Sequence, residues 1–161
     1  RDLSPRQAQR SSFERQIRIA IDTGLPFFLH QRDAHADFIA MLKEHRDRLS
    51  EVVVHCFTGS RTELHECLDL DFHIGITGWI CDERRGTHMQ EYLADIPFER
   101  VLIETDAPYL KPRNLRPKIK SHRNEPRLLP WILNTLAACR NETPEELAEA
   151  TTRNARRFFR I

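Results

Sequence analysis

Apolar residues recur three or four apart at Phe13, Ile17, Ala20 and Ile21, the spacing of one helical face. Ser4-Pro5-Arg6-Gln7 reads as the start of that helix. Serine caps, proline suits the first helical position, and Gln7 completes a capping box. Gly24 stops it. The short apolar run Leu25 to Leu29 then predicts a buried strand ending at His30. The alternation continues. Phe38, Ile39, Met41 and Leu42 mark a second helix reaching about Leu49, and Val52-Val53-Val54 a second strand ending at His55. Ser60-Arg61-Thr62-Glu63 is a capping box that opens a helix through Leu64, Cys67 and Leu68. Phe72 to Ile76 predicts a third strand, Met89 to Ala94 a short helix, and Val101 to Glu104 a fourth strand ending near Asp106. No periodicity runs from Tyr109 to Asn124, and Pro112 and Pro117 break any helix there. Leu128, Leu129, Ile132, Leu133 and Leu136 restore helical spacing. A last capping box at Thr143-Pro144-Glu145-Glu146 opens a helix expected to break near Asn154.

Strands that alternate with helices predict a parallel α/β sheet. Two architectures fit: an open doubly wound sheet and part of a (β/α)8 barrel. No glycine-rich phosphate loop follows any strand, which weakens the nucleotide-binding version of the first. The 25 Lys and Arg nearly balance 24 Asp and Glu, so global charge selects no polyanionic partner. No apolar run approaches the roughly 18 residues of a membrane span. Cys56, Cys67, Cys81 and Cys139 form no CxxC pair and read as reduced thiols of a cytoplasmic protein.

In parallel α/β folds the chemistry gathers at the carboxyl ends of strands. Three predicted strands end in His30, His55 and Asp106, two imidazoles and a carboxylate that together suit a divalent metal. Each is also open to a plain reading as a hydrogen-bonded core residue. Glu104 lies two residues before Asp106, on the same face if the strand persists, either orienting a ligand or pairing with Arg32 or another arginine. The loop from Lys111 to Arg123 carries Lys111, Arg113, Arg116, Lys118, Lys120 and Arg123 without an acidic residue. That composition suits a phosphate-bearing substrate. Arg84 and Arg85 extend the same charge, and Trp79 is placed either to stack on a base or to pack. Arg153, Arg156, Arg157 and Arg160 read as the wet face of the last helix, and Phe158 and Phe159 as its docking contacts.

His30-Gln31-Arg32-Asp33-Ala34, His55-Cys56-Phe57-Thr58-Gly59 and Glu104-Thr105-Asp106-Ala107-Pro108-Tyr109 resemble, in order, the later motifs of the TatD family of deoxyribonucleases. Arg123-Asn124-Glu125-Pro126 and the Asn154-Ala155…Phe158-Phe159 ending add to the resemblance, as does Gly75 to Gly86. The resemblance implies the C-terminal half, strands five to eight, of a TIM (β/α)8 barrel of metal-dependent hydrolase type, with residues 1–161 as one partial domain. A complete barrel runs to about 250 residues. It also implies a 3′–5′ exonuclease on single-stranded DNA or RNA with a role in DNA repair, and one or two divalent ions (Mg, Mn or Zn). His30, His55 and Asp106 would be the ligands, Asp106 and Glu104 the catalytic pair, and Arg32, Arg123, Asn124 and Trp79 the substrate-binding candidates. The expected partner is DNA, possibly RNA, and no membrane. A half-barrel with two open edges is expected to be marginally stable alone, to self-associate, or to be part of a longer protein. The alternatives are a metal-dependent hydrolase of another ester or amide, and a catalytically incomplete nucleic-acid-binding fragment.

Overall fold

A computed structural model describes residues 3–161. Four parallel strands, β1 (Phe27–His30), β2 (Val52–His55), β3 (His73–Ile76) and β4 (Val101–Ile103), lie side by side in sequence order. A doubly wound sheet needs a point where strand order reverses. None occurs among the described strands, and His30 stands level with His55 in the β1–β2 register. α1 (Arg6–Thr23) precedes β1; the connections carry α2 (His35–His45), α3 (Arg61–Asp69) and the single turn α4 (Thr87–Gln90), and α5 (Leu129–Arg140) and α6 (Pro144–Phe159) follow β4.

One face of the sheet meets the helices. Leu29, Val52, Val54, Ile74, Ile76 and Val101 alternate onto it and pack with Ile17, Leu42, Leu64 and Leu136 in one core. The other face carries a second, smaller cluster in which Phe158 of α6 closes over Val53 and Leu102. That face also presents Phe28, half exposed and 5.0 Å from the His55 ring. Phe28 lies 6.5 Å from the ring of Phe159, which is itself half exposed, so of the two phenylalanines expected to dock α6 only Phe158 is buried.

Local chemistry explains most element ends. Ser60 and Thr143 form the two reciprocal capping boxes at the heads of α3 and α6. Gly24 ends α1 at φ 63°, a left-handed turn that costs glycine nothing. Ser4 does not cap α1. Pro5 occupies the cap position and has no side-chain acceptor, while the Ser4 carbonyl accepts a 2.8 Å bond from the Gln9 amide. Helix α6 does not break at Asn154. The Asn154 side chain donates out of the helix to the carbonyls of Phe98, at 2.8 Å, and Val101, at 3.0 Å. Its own backbone therefore stays in register. The expected burial of β1 is also incomplete: Phe28 and His30 are exposed because β1 is an edge strand. The helix predicted from Met89 to Ala94 is split into α4 and a 3-10 turn at Leu93–Asp95. All four cysteines are free, and no helix among the described residues is long and apolar enough to cross a membrane.

Candidate metal centre

β2 delivers His55 to the carboxyl end of the sheet, and β4 delivers Glu104 two strands away. The strand between them makes the meeting possible. β3 has Gly75 at the crossing point, and a Cβ there would stand 1.5 Å from Glu104 Oε1. Glu104 thus lies across β3 and accepts a hydrogen bond from His55 Nδ1, while its second oxygen takes the Cys56 amide at 3.3 Å. With Nδ1 committed, the Nε2 atom of His55 faces Asp106 Oδ1 at 3.5 Å. The Glu104 bond raises the imidazole above its ordinary pKa; burial opposes the rise and the Asp106 charge adds to it.

Two left-handed residues shape the rim. Cys56 has φ 48° and Asp106 φ 55°, a conformation costing a non-glycine residue on the order of 1 kcal/mol. β4 ends at Ile103, but the Glu104 amide still donates to the Ile76 carbonyl at 2.9 Å before the chain turns. The carboxylates of Glu104 and Asp106 consequently approach opposite nitrogens of one histidine.

His55, Cys56 and Asp106 bring one donor atom each within 4.8 Å of one another. An ion with ligands at about 2.0–2.1 Å in a tetrahedral arrangement keeps neighbouring donors about 3.4 Å apart. The 3.5 Å between His55 and Asp106 fits that spacing. His30 is beside this group and not in it: its ring centre is 5.9 Å from that of His55 and its side chain is exposed. Cys56 was invisible as a candidate because neighbouring strand residues point to opposite faces. Only its positive φ, at the point where β2 ends, returns its sulfur to the cluster. Burial pushes the Cys56 thiol up to about 11, and a 3.3 Å contact with the Thr77 hydroxyl acts the other way. A nearby cation lowers the pKa of a thiol that coordinates it.

The expected substrate contacts divide. Arg32 and Arg123 are exposed and make no ion pair among the described residues. Glu104 is bound to His55 instead of Arg32. Asn124 is buried; its amide donates to the carbonyls of Thr105, at 2.6 Å, and Tyr109, at 2.7 Å. It therefore braces the turn that holds Asp106 and is not open to a substrate. Trp79 is likewise occupied, with its ring 4.4 Å from the Arg85 guanidinium and its indole N–H on the Arg85 carbonyl. The basic loop is less free than its composition suggests. Lys111 donates to the Ile119 and Ser121 carbonyls, and Arg113 pairs with Glu83 at 3.2 Å. Arg84 and Arg85 both grip the buried Asp82 carboxylate. Those two guanidinium groups hold Asp82 well below the ordinary carboxylate range, Arg84 contributing most.

The four-stranded parallel sheet gathers its candidate donors at the carboxyl ends of the strands, where parallel α/β folds carry their sites. The sequence model of the family described as "TatD related DNase" matches residues 1–160, and the chain belongs to that family. It is 53% identical over 161 residues to a protein of Citrobacter rodentium named "3′-5′ ssDNA/RNA exonuclease TatD", covering 100% of this chain and 61% of that one. A protein of the same name in Pantoea vagans is 49% identical, with 100% and 62% covered. The chain thus spans about three fifths of the length of the curated relatives it matches. Among solved structures, a TatD homologue from Escherichia coli K12 superposes with a TM-score of 0.84 at 27% identity, covering 96% of this chain and 57% of that one. An uncharacterised amidohydrolase from Saccharomyces cerevisiae superposes at 0.82 and 20% identity, covering 95% and 60%, which shows the shared fold.

Proposed function

We propose that this chain supplies the acidic half of the active site of a metal-dependent exonuclease that removes nucleotides from the 3′ ends of single-stranded DNA or RNA. The observation that carries this reading is the placement of Glu104 and Asp106 on the two nitrogens of His55. A histidine that gives one ring N–H to a carboxylate and offers the other nitrogen outward is the usual preparation of a metal ligand. His55 and Asp106 would hold the ion, Glu104 would fix the imidazole, and Cys56 or His30 would complete the set. A divalent ion held there supplies Lewis-acid activation of water and neutralises charge on phosphoryl oxygens. The carboxylate of Asp106 would take the proton from the attacking water. Arg32 and Arg123, exposed near the rim, would hold phosphate oxygens.

The four strands are read as strands five to eight of an eight-stranded barrel. Their sequential order and the uncovered Phe28 and His30 support this, since the remaining strands would pair with β1 and β4. The name carried by the Citrobacter and Pantoea relatives is the basis for the substrate and polarity. The test uses single-stranded oligonucleotides labelled at either end, incubated with the protein and Mg, Mn or Zn. Stepwise loss from the 3′ end, stopped by a chelator and by Asp106→Asn, is the expected result. Products that shorten from the 5′ end, or cleavage indifferent to Asp106, would refute the assignment.

A further inference from the structure

Cys56 occupies a backbone position that would suit glycine. Its φ of 48° lies in the left-handed region, which a residue with a β-carbon keeps only when its surroundings hold it there. Two neighbouring strands do so. The Cys56 amide donates to Glu104 Oε1 at 3.3 Å, so one carboxylate holds both His55 and Cys56. The next amide, that of Phe57, donates to the Gly75 carbonyl at 3.0 Å. The turn fixed in this way carries the sulfur to within 4.8 Å of the donor atoms of His55 and Asp106. Cys56 is buried, and it is the one cysteine in such a donor group among the described residues. Cys67 and Cys81 belong to the apolar core instead, and Cys139 packs against it.

Thr77, buried just after β3, meets the sulfur from the other side. Its hydroxyl oxygen accepts the Trp79 backbone N–H at 3.4 Å, which leaves its own hydrogen for Cys56 Sγ at 3.3 Å. One proton and two lone pairs let a single hydroxyl serve both. A thiolate has no hydrogen to give, and Thr77 is then the donor beside it. We infer that Cys56 is a thiolate ligand of the proposed centre and makes it select zinc or a similar thiophilic ion over magnesium and manganese. Thiolate donors favour zinc, whereas carboxylate and water suit magnesium and manganese. On binding, the S–H bond breaks, the proton passes to solvent, and the freed sulfur lone pair forms the bond to the ion. The assignment rests on the metal centre of the exonuclease reading but not on its substrate.

Cobalt(II) chloride is titrated into the metal-free 161-residue chain and followed by absorbance, and zinc and manganese affinities are taken by calorimetry. Wild type is expected to develop a sulfur-to-cobalt charge-transfer band in the near ultraviolet. Cys56→Gly should abolish it, since glycine accepts the left-handed turn and removes only the side chain. Cys56→Ser, which keeps the β-carbon, should abolish it too, and Cys139→Ser, outside the donor group, should keep it. Loss of the sulfur is expected to cost zinc at least the roughly 10–100-fold that a lost orienting partner costs. Manganese, which relies on oxygen ligands, should change by less than about two-fold. A band that survives in both Cys56 variants, cobalt bound to wild type without a band, or equal losses of zinc and manganese overturns the inference and leaves the exonuclease reading standing. Absence of any cobalt binding overturns both. A band in a protein that cleaves no oligonucleotide supports the sulfur ligand and refutes the exonuclease reading alone.

Discussion

Gly75 and Glu104 share one space: the hydrogen atom that glycine carries in place of a side chain is what lets the carboxylate cross β3 to His55. Gly75→Ala must therefore push Glu104 aside, since its Cβ would also come 2.6 Å from Glu104 Cδ. Loss of a ligand's orienting partner costs about 10–100-fold in metal affinity or activity. A fall of that size is expected for Gly75→Ala, measured by titration with manganese or zinc. In a Glu104→Ala background the same glycine change has room and should add little further loss. An alanine at 75 that leaves ion affinity intact in the wild-type background would show that Glu104 does not orient His55.

His55→Ala removes a donor of the proposed centre, and Asp106→Asn removes its carboxylate charge. Both should abolish ion-dependent cleavage while leaving the thermal midpoint without metal within a few degrees, because neither side chain belongs to either apolar core. Differential scanning with and without metal separates the two effects: wild type should gain stability on adding the ion, and the variants should not.

Asn124 spends its amide on the carbonyls of Thr105 and Tyr109. Asn124→Ala would leave two inward-facing carbonyls without a donor, at a cost of about 1–3 kcal/mol. Faster amide hydrogen exchange in residues 105–125, together with lost activity, is the expected outcome. Unchanged exchange there would place the role of Asn124 elsewhere.

Asp82 gathers Arg84 and Arg85, at 3.1 and 3.0 Å, with Arg113 at 3.5 Å. Its folded pKa is depressed, so the stability it contributes is fully present above the unfolded value of about 3.9. It declines as the pH falls from there through the folded pKa. Asp82→Asn should cost about 1–2 kcal/mol at pH 7, a discounted figure because the guanidinium groups are exposed. The gap between variant and wild type should narrow below pH 4, followed by urea denaturation. A gap independent of pH would mean that packing, not charge, is what Asp82 provides.

Phe158 is fully buried against Val53 and Leu102, whereas Phe159 is half exposed. Phe158→Ala should cost about 3–5 kcal/mol and Phe159→Ala much less. Equal costs in denaturant titrations would show that the patch around Phe28 and Phe159 is covered in solution.

Most of the scaffold was legible in the residues. Ser60 and Thr143 announce their helices because a capping box is a local pattern, and the four strands end within a residue of where their apolar runs end. Ser4 misled because Pro5 took its place one residue later. Asn154 looked like a helix break because its partners, Phe98 and Val101, lie more than fifty residues away. The same limit governs the site. His55 and Asp106 were readable from their position at strand ends, but Cys56 depends on a backbone turn that no periodicity encodes. The contact of Arg85 with the Trp79 ring depends on the chain folding back on itself, and the burial of Asn124 on a loop closing around it. The cations of the loop were countable in the sequence, but not their division between bracing and open positions.

His55 and Glu104 are separated by 49 positions along the chain. During synthesis at about 5–20 residues per second, the histidine would wait roughly 2–10 seconds for its carboxylate. Because each strand pairs with the one before it, the sheet can grow from β1 onward as the chain emerges. The acidic residues arrive with the last strand, and the clasp at Asn124 later still. A polypeptide halted before Glu104 would therefore present the first three of these strands without the carboxylates of the proposed centre.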